Sequence, residues 1–188
     1  MTNYKCIYIV LSRSGTILSR IIHLVTRDRF THSSLALDED MKLLFSFGRR
    51  YDHNPFLGCF KRESLTDLHY RRGRPGMIIA IPVTPEQYDE VSRHVQEFRD
   101  FADAFSYNIP GLVASIFHRT FEGYYRFFCS EFVYHVLNTA GICDFGVTRG
   151  HVRPMTFIER LNGTVVFEGD LPAYDAERRT LARAGQAS

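Results

Sequence analysis

The sequence predicts an α+β fold in which an antiparallel sheet packs against helices. Segments rich in β-branched and aromatic residues alternate with segments that carry apolar residues at helical spacing. The chain has 188 residues, of which 45% are hydrophobic, and this is enough to form one buried core. We therefore expect one domain over residues 1–174 and a disordered tail over residues 175–188, where apolar residues are scarce.

The first half of the chain is predicted to begin with a strand and a helix, followed by a β-hairpin. A β-rich run at 5–11 precedes an apolar helical pattern that starts after Ser14, a residue suited to cap a helix. Residues 31–37 and 41–47 are predicted to form two strands joined by a three-residue turn. Residues 48–75 follow no clear period, and we expect a long loop there.

The second half is predicted to add helices to the sheet. In chain order we expect a strand at 77–83, a helix at 85–101, a short apolar segment at 108–118, a helix at 129–139, a short helix at 154–161 and a strand at 164–167. The helix that begins at Cys129 carries one apolar stripe that includes Phe132 and Val136, so we expect it to pack against the sheet.

Charge and cysteine content argue against several classes of protein. The formal net charge of +2 is too small to indicate a nucleic-acid-binding protein. No segment approaches the roughly 20 apolar residues of a membrane-spanning helix, and the first strand lacks a signal-peptide pattern. The four cysteines show neither metal-ligand spacing nor the density of a disulfide scaffold. We therefore expect a cytoplasmic protein with reduced thiols, no metal and no cofactor.

Cys129 and His32 form the candidate catalytic pair. At the start of a helix, the sulfur of Cys129 would lie near free backbone N–H groups and the positive end of the helix dipole, both of which favour a thiolate. His32 shares its strand face with the small residues Ser34 and Ala36, which leaves room for a helix end to approach. A buried structural cysteine and a core histidine are the alternatives.

The segments TRDRFTHSSLALDEDMKLLFSFGRR and FFCSEFVYHVL resemble those of the circularly permuted papain-like hydrolases of the NlpC superfamily. That group includes YiiX-type proteins and relatives of lecithin retinol acyltransferase. In the permuted branch the histidine strand precedes the cysteine helix, as His32 precedes Cys129 here. The resemblance implies a permuted papain-like fold, with the cysteine-bearing helix packed on an antiparallel sheet.

The same resemblance implies a cysteine-dependent hydrolase of the amidase, peptidase or esterase type. It would act through an acyl-enzyme on an amide, ester or thioester, and the substrate would be a small-molecule, peptide or lipid-like acyl compound. Two alternatives stay open: acyl transfer by the same cysteine and histidine, and a non-catalytic binding module on the same fold.

The third catalytic residue is the point at which this sequence departs from the family pattern. The family places a polar residue, often an acid, on the strand after the histidine strand, and this sequence has no acid there. A three-residue turn would place Ser46 opposite His32, so Ser46 is predicted to orient the imidazole. Glu63, in the predicted long loop, is the alternative.

Substrate contacts are predicted at Tyr107, Arg49 and Arg50. The family carries a tyrosine near the nucleophile, and the hydroxyl of Tyr107 would help to hold an oxyanion. Arg49 and Arg50 begin a basic, aromatic segment that includes Phe60 and could line a cleft for an anionic, partly apolar substrate. Arginines also recur at seven-residue spacing at positions 13, 20 and 27, which is compatible with peripheral contact to an anionic membrane or with a solvated helix face.

Overall fold

The computed structural model describes residues 4–13, 17–51, 54–66, 73, 75–102, 105–107 and 126–186. The strands are β1 (Lys5–Ser12), β2 (His32–Ala36), β3 (Leu44–Tyr51), β4 (Asn54–Glu63), β5 (Pro75–Val83), β6 (Ser106–Tyr107), β7 (Arg126–Phe127) and β8 (Thr164–Asp170). The helices are α1 (Ile17–Thr26), α2 (Pro85–Asp100), α3 (Cys129–Thr139), α4 (Pro154–Arg160) and α5 (Leu171–Gln186).

Six strands form one antiparallel sheet in the order β4-β3-β2-β1-β5-β8. The short strands β6 and β7 pair in parallel in a second, two-stranded sheet. The fold is therefore α+β with an antiparallel sheet and packed helices, as the sequence predicts. Among the described residues, no helix is both long enough and apolar enough to cross a membrane.

The main sheet is covered on both faces. Residues Ile7, Ile9 and Leu11 of β1 face a core that α2 and α3 complete, whereas Val10 faces a smaller cluster completed by Leu171 of α5. This alternation follows from the two-residue period of a strand. Because α3 packs on the first face, its amino-terminal end lies over β2 and β3.

Phe47 of β3 lies at the centre of an aromatic cluster in the larger core. Its side chain is fully buried. It contacts rings from β4, α2, the segment before α3 and α3 itself, namely Phe60, Phe98, Phe105, Phe127 and Phe132. Because Phe127 and Phe132 flank Cys129 in the chain, this cluster holds the start of α3 against the sheet.

The predicted three-residue turn and the predicted long loop differ from the structure. The backbone N–H of Leu37 donates to the carbonyl of Leu43, so five residues form the turn and β3 begins at Leu44. Most of the predicted loop is strand, because β3 continues to Tyr51 and β4 pairs with it in antiparallel fashion. The apolar period of β4 is obscured by its glycine and basic residues, and the pairing with β3 determines its conformation.

The carboxy-terminal residues also differ from their prediction. Residues predicted to form a disordered tail belong to α5, while residues 187–188 lie outside the described part of the chain. Leu171 anchors the start of α5 in the core, and Arg178 forms ion pairs with Glu39 and Asp40 of the β2–β3 turn. These long-range contacts compensate for the low apolar content of the segment. The predicted apolar segment at 108–118 lies outside the described residues.

Candidate active site

Cys129 is the first residue of α3, and the start of this helix is held firmly in place. The carboxylate of Glu131 accepts a hydrogen bond from the backbone N–H of Phe128 at 2.9 Å. The hydroxyl of Ser130 donates to the carbonyl of Val152 at 2.6 Å. Ser130 and Glu131 are fully buried, and Cys129 is 4% exposed. Glu131 therefore stabilises the helix start, as its position in the first turn indicates.

The thiol of Cys129 lies against His32 at the first residue of β2. His32 and the backbone N–H groups of Ser33 and Ser130 interact with the sulfur and lower the pKa of the thiol. Within the described residues, β2 pairs with β3 only at Leu35 and Ala36. The earlier part of β2 is thus free of the β3 ladder, which allows the thiol to reach the Ser33 amide.

Glu63, the last residue of β4, completes a chain of three contacting side chains. Its two carboxylate oxygens lie 3.1 and 3.2 Å from Nε2 of His32. The Glu63 side chain is 5% exposed and that of His32 15%, so this pair is largely shielded from water. A carboxylate in this position fixes the orientation of the ring and stabilises the imidazolium form.

Charge interactions shift both members of the cysteine–histidine pair. Burial disfavours the imidazolium, but Glu63 and Cys129 outweigh burial and raise the pKa of His32 from 6.5 to about 9. Burial likewise disfavours the thiolate, but His32 and the two backbone N–H groups lower the pKa of Cys129 below its ordinary value. Both shifts favour a thiolate beside an imidazolium near neutral pH. By contrast, burial and the neighbouring Asp144 raise the pKa of Cys143 to about 12.

Ser34 links His32 and Glu63 on the same face of the sheet. Its hydroxyl donates to Oε2 of Glu63 at 2.6 Å and lies 3.3 Å from Nε2 of His32. The side chain is almost fully buried. Ser34 was predicted only as a small neighbour that leaves space for the helix, and its hydrogen bond to Glu63 depends on a residue 29 positions away.

Ser46 does not occupy the position opposite His32 that the sequence predicts. Leu35 pairs with Phe45 rather than with Leu43, because the turn between β2 and β3 is longer than expected. Ser46 instead pairs with Lys61 of β4. Its hydroxyl is buried and has no hydrogen-bond partner in the part of the chain described here. The predicted contact between Ser46 and His32 is therefore wrong, and Glu63 makes that contact.

Lys61 places a positive charge beside Glu63. Its Nζ lies 3.7 Å from Oε1 of Glu63, and its side chain is partly exposed. The side chain crosses Gly48, where an added Cβ would lie only 2.7 Å from Cε of Lys61. The glycine at this position thus permits the close approach of Lys61 to the strand surface.

The predicted substrate-contact residues are only partly described. Tyr107 lies in β6 and pairs with Phe127, two residues before Cys129, so its backbone is near the start of α3. Arg49 and Arg50 lie in β3. The side chains of all three residues are outside the described part. Phe60, which was expected to line a cleft, is instead buried in the aromatic cluster.

The described residues contain no group of three or more histidine, cysteine or acidic side chains positioned to hold a metal ion. The structure brings together Cys129, His32 and Glu63, and adds Ser34.

In the sequence, Glu63 could be found only as an acidic residue within a segment that has no clear hydrophobic period. The signal for Ser34 was its position two residues after His32, on the same strand face.

Comparisons with known proteins do not identify a family for this chain. No protein-family model matches it, and neither the comparison with curated proteins nor that with solved structures found a significant match. The case for function therefore depends on the geometry of the site and on the resemblance of the sequence motifs.

Proposed function

We propose that this protein is a cysteine-dependent hydrolase that forms an acyl-enzyme on an amide, ester or thioester substrate. The observation that carries the proposal is the hydrogen bond of His32 to Glu63 at 3.1 Å, on the imidazole that interacts with the thiol of Cys129 at the start of α3. A nucleophile, a base and a group that orients the base form the minimal set for nucleophilic catalysis of acyl transfer.

In the proposed reaction His32 holds the proton taken from Cys129, and the thiolate attacks the substrate carbonyl. A carbon–sulfur bond forms, and the carbonyl electron pair moves to oxygen, near the positive end of the α3 dipole. His32 then donates its proton to the leaving group, which departs and leaves a thioester on Cys129. Water, deprotonated by His32, attacks the thioester and releases the carboxylic acid and the thiol.

Glu63 would act on this reaction through His32. Its carboxylate and the Ser34 hydroxyl lie at Nε2, which leaves Nδ1 to exchange the proton with Cys129. The negative charge favours the imidazolium that exists whenever the thiolate is present. Ser34 keeps the carboxylate in place and is a positioning residue in this scheme.

We further propose that the fold is the permuted papain-like fold of the NlpC superfamily. Three features support this assignment: the antiparallel sheet, the position of the histidine on a strand that precedes the cysteine helix, and the thiol at the start of that helix. The permuted order of His32 and Cys129 is the sequence feature that distinguishes this branch from ordinary papain-like chains.

Acyl transfer to an amine or alcohol is the second candidate function. It uses the same cysteine and histidine, and the low exposure of Cys129 favours it because a buried thioester is shielded from water. A non-catalytic binding module is the third candidate. Its support from the sequence was the apparent lack of an acid near His32, and the contact with Glu63 removes that argument.

The proposal is tested with a panel of acylating and alkylating electrophiles that label thiols. Mass spectrometry of the labelled peptide identifies which cysteine has reacted. We expect labelling near pH 6 to be fastest at Cys129, although Cys6 is exposed and Cys129 is buried. Cys129→Ser serves as the blank, and added amine or alcohol acceptors distinguish transfer from hydrolysis. Slower labelling of Cys129 than of Cys6 at this pH would contradict the catalytic assignment.

The variant His32→Gln tests whether His32 is the base that acts on Cys129. This variant keeps a polar side chain beside Glu63 but cannot hold the proton of Cys129. We expect the pH at which Cys129 becomes reactive to rise, with the fold unchanged by circular dichroism. If Cys129 of this variant is labelled at the wild-type rate at every pH, His32 has no part in the proposed mechanism.

A further inference from the structure

Helix α1 exposes apolar side chains to solvent. Leu24 is 79% exposed, the largest value among the exposed large apolar side chains in the described residues, and the adjacent Val25 is 54% exposed. Two such residues side by side near the end of a helix gain nothing from the folded core. Because the two are adjacent, this end of the helix is a candidate contact site.

Positive charge surrounds this apolar surface. Arg20 is exposed and lies one turn before Leu24 on α1, and the exposed Arg27 directly follows the last residue of the helix, so an arginine flanks Leu24 on each side along the chain. Helix α1 contains no acidic residue. Asp28, the acid next in sequence, forms an ion pair with Arg153 at 3.0 Å, and its charge is therefore already neutralised.

We propose that the surface formed by Arg20, Leu24, Val25 and Arg27, called here the α1 surface, docks on an anionic lipid membrane. Aliphatic side chains enter the boundary between headgroups and acyl chains, while flanking arginines bind lipid phosphates and carboxylates. The four residues supply two exposed arginines and no acid, and this charge complements a membrane surface that carries anionic headgroups.

The position of α1 in the fold connects this surface to the strand of His32. The hydroxyl of Ser19 lies 2.6 Å from that of Thr31, and both residues are buried. Thr31 immediately precedes His32 in the chain. A membrane bound at the α1 surface would therefore lie on the side of the molecule where β2 begins. The docking proposal does not depend on the proposed catalytic activity, because binding is measured without turnover.

Co-sedimentation of the full chain with lipid vesicles tests the proposal. We expect binding to vesicles that mix phosphatidylcholine with phosphatidylserine, and much weaker binding to phosphatidylcholine alone. Because the attraction between charges is screened by salt, binding should decrease steeply at about 0.5 M salt. Leu24→Gln and Arg20→Glu should each weaken binding by about tenfold or more, since they remove an apolar anchor and reverse a charge.

Matched controls show whether vesicle binding depends on the α1 surface or on any exposed apolar or basic residue. Val165 of β8 is 49% exposed, and Arg99 of α2 has a side chain that is 62% exposed. Val165→Gln and Arg99→Glu should bind vesicles as the wild type does. All four substitutions are at exposed positions, and thermal melting verifies that each variant is folded. Failure of the wild type to bind the mixed vesicles at low salt, or equal binding by Leu24→Gln and the wild type, would overturn the proposal.

Discussion

The carboxylate of Glu63 lies 3.1 Å from Nε2 of His32, although the two residues are 31 positions apart in the chain. The register of three strands explains this contact. Glu63 pairs with Leu44 of β3, and Leu44 pairs with Ala36 of β2. Glu63 is therefore two strands away from the histidine strand, and its side chain lies on the face that carries His32 and Ser34.

The first prediction concerns the charge of Glu63. Glu63→Gln keeps the shape of the side chain but removes the negative charge that raises the pKa of His32. We expect the pKa of His32 to fall and that of Cys129 to rise, so alkylation measured at a pH below the pKa of the thiol should slow by about tenfold for each unit that this pKa rises. Glu90→Gln on the exposed side of α2 is the matched control. Identical pH profiles for Glu63→Gln and the wild type would show that Glu63 does not act on the pair.

The pH dependence of the reaction provides the second prediction. As pH falls through the lowered pKa of Cys129, the thiolate gains a proton and the rate decreases. As pH rises through about 9, His32 loses the proton that it would give to the leaving group, and turnover decreases again. We expect a bell-shaped profile for hydrolysis of an ester or amide substrate. A rate that increases steadily through pH 9 would argue that His32 is not the acid.

The third prediction compares two buried serines on neighbouring strands, Ser34 of β2 and Ser46 of β3. Ser34→Ala removes the 2.6 Å hydrogen bond to Glu63, whereas Ser46→Ala removes a hydroxyl without a partner in the described residues. A hydrogen bond to a charged group contributes about 1.5 to 3 kcal/mol. Ser34→Ala should therefore slow labelling of Cys129 and alter its pH profile, and Ser46→Ala should leave both unchanged.

Thermal stability must be measured for both serine variants. If Ser34→Ala alters melting temperature without altering the pH profile, its hydroxyl is only structural. If Ser46→Ala alters the profile as much as Ser34→Ala does, the observed register does not explain how His32 is oriented.

The fourth prediction concerns the aromatic cluster that holds α3. Phe47 is fully buried and contacts five phenylalanine rings. Phe47→Ala should reduce the free energy of unfolding by about 3 to 5 kcal/mol, since it leaves a cavity in the core. Chemical denaturation measures this change. Phe101→Ala, at a position that is 64% exposed, should change stability little, and equal losses in both variants would contradict the central position of Phe47.

The elements with a strong local pattern could be predicted from the sequence. The helix that begins at Cys129 and the strand that carries His32 both lie within one or two residues of their predicted ranges. The predicted partner of His32, Ser46, required in addition the length of the turn after β2. That length depends on Asp38, whose carboxylate accepts backbone hydrogen bonds from Lys42 and Leu43 and so stabilises a five-residue turn.

The sequence by itself determined the fold class, the helix start at Cys129 and the strand position of His32, because apolar periodicity and capping residues act over a few neighbouring positions. Only the tertiary structure decided that Glu63 contacts His32, that Ser34 joins them and that residues 171–186 form a helix. The physical reason is that strand register and helix docking depend on contacts between residues far apart in the chain. Those contacts are set by the pairing of β3 with β4 and by the ion pairs of Arg178, and no local pattern encodes them.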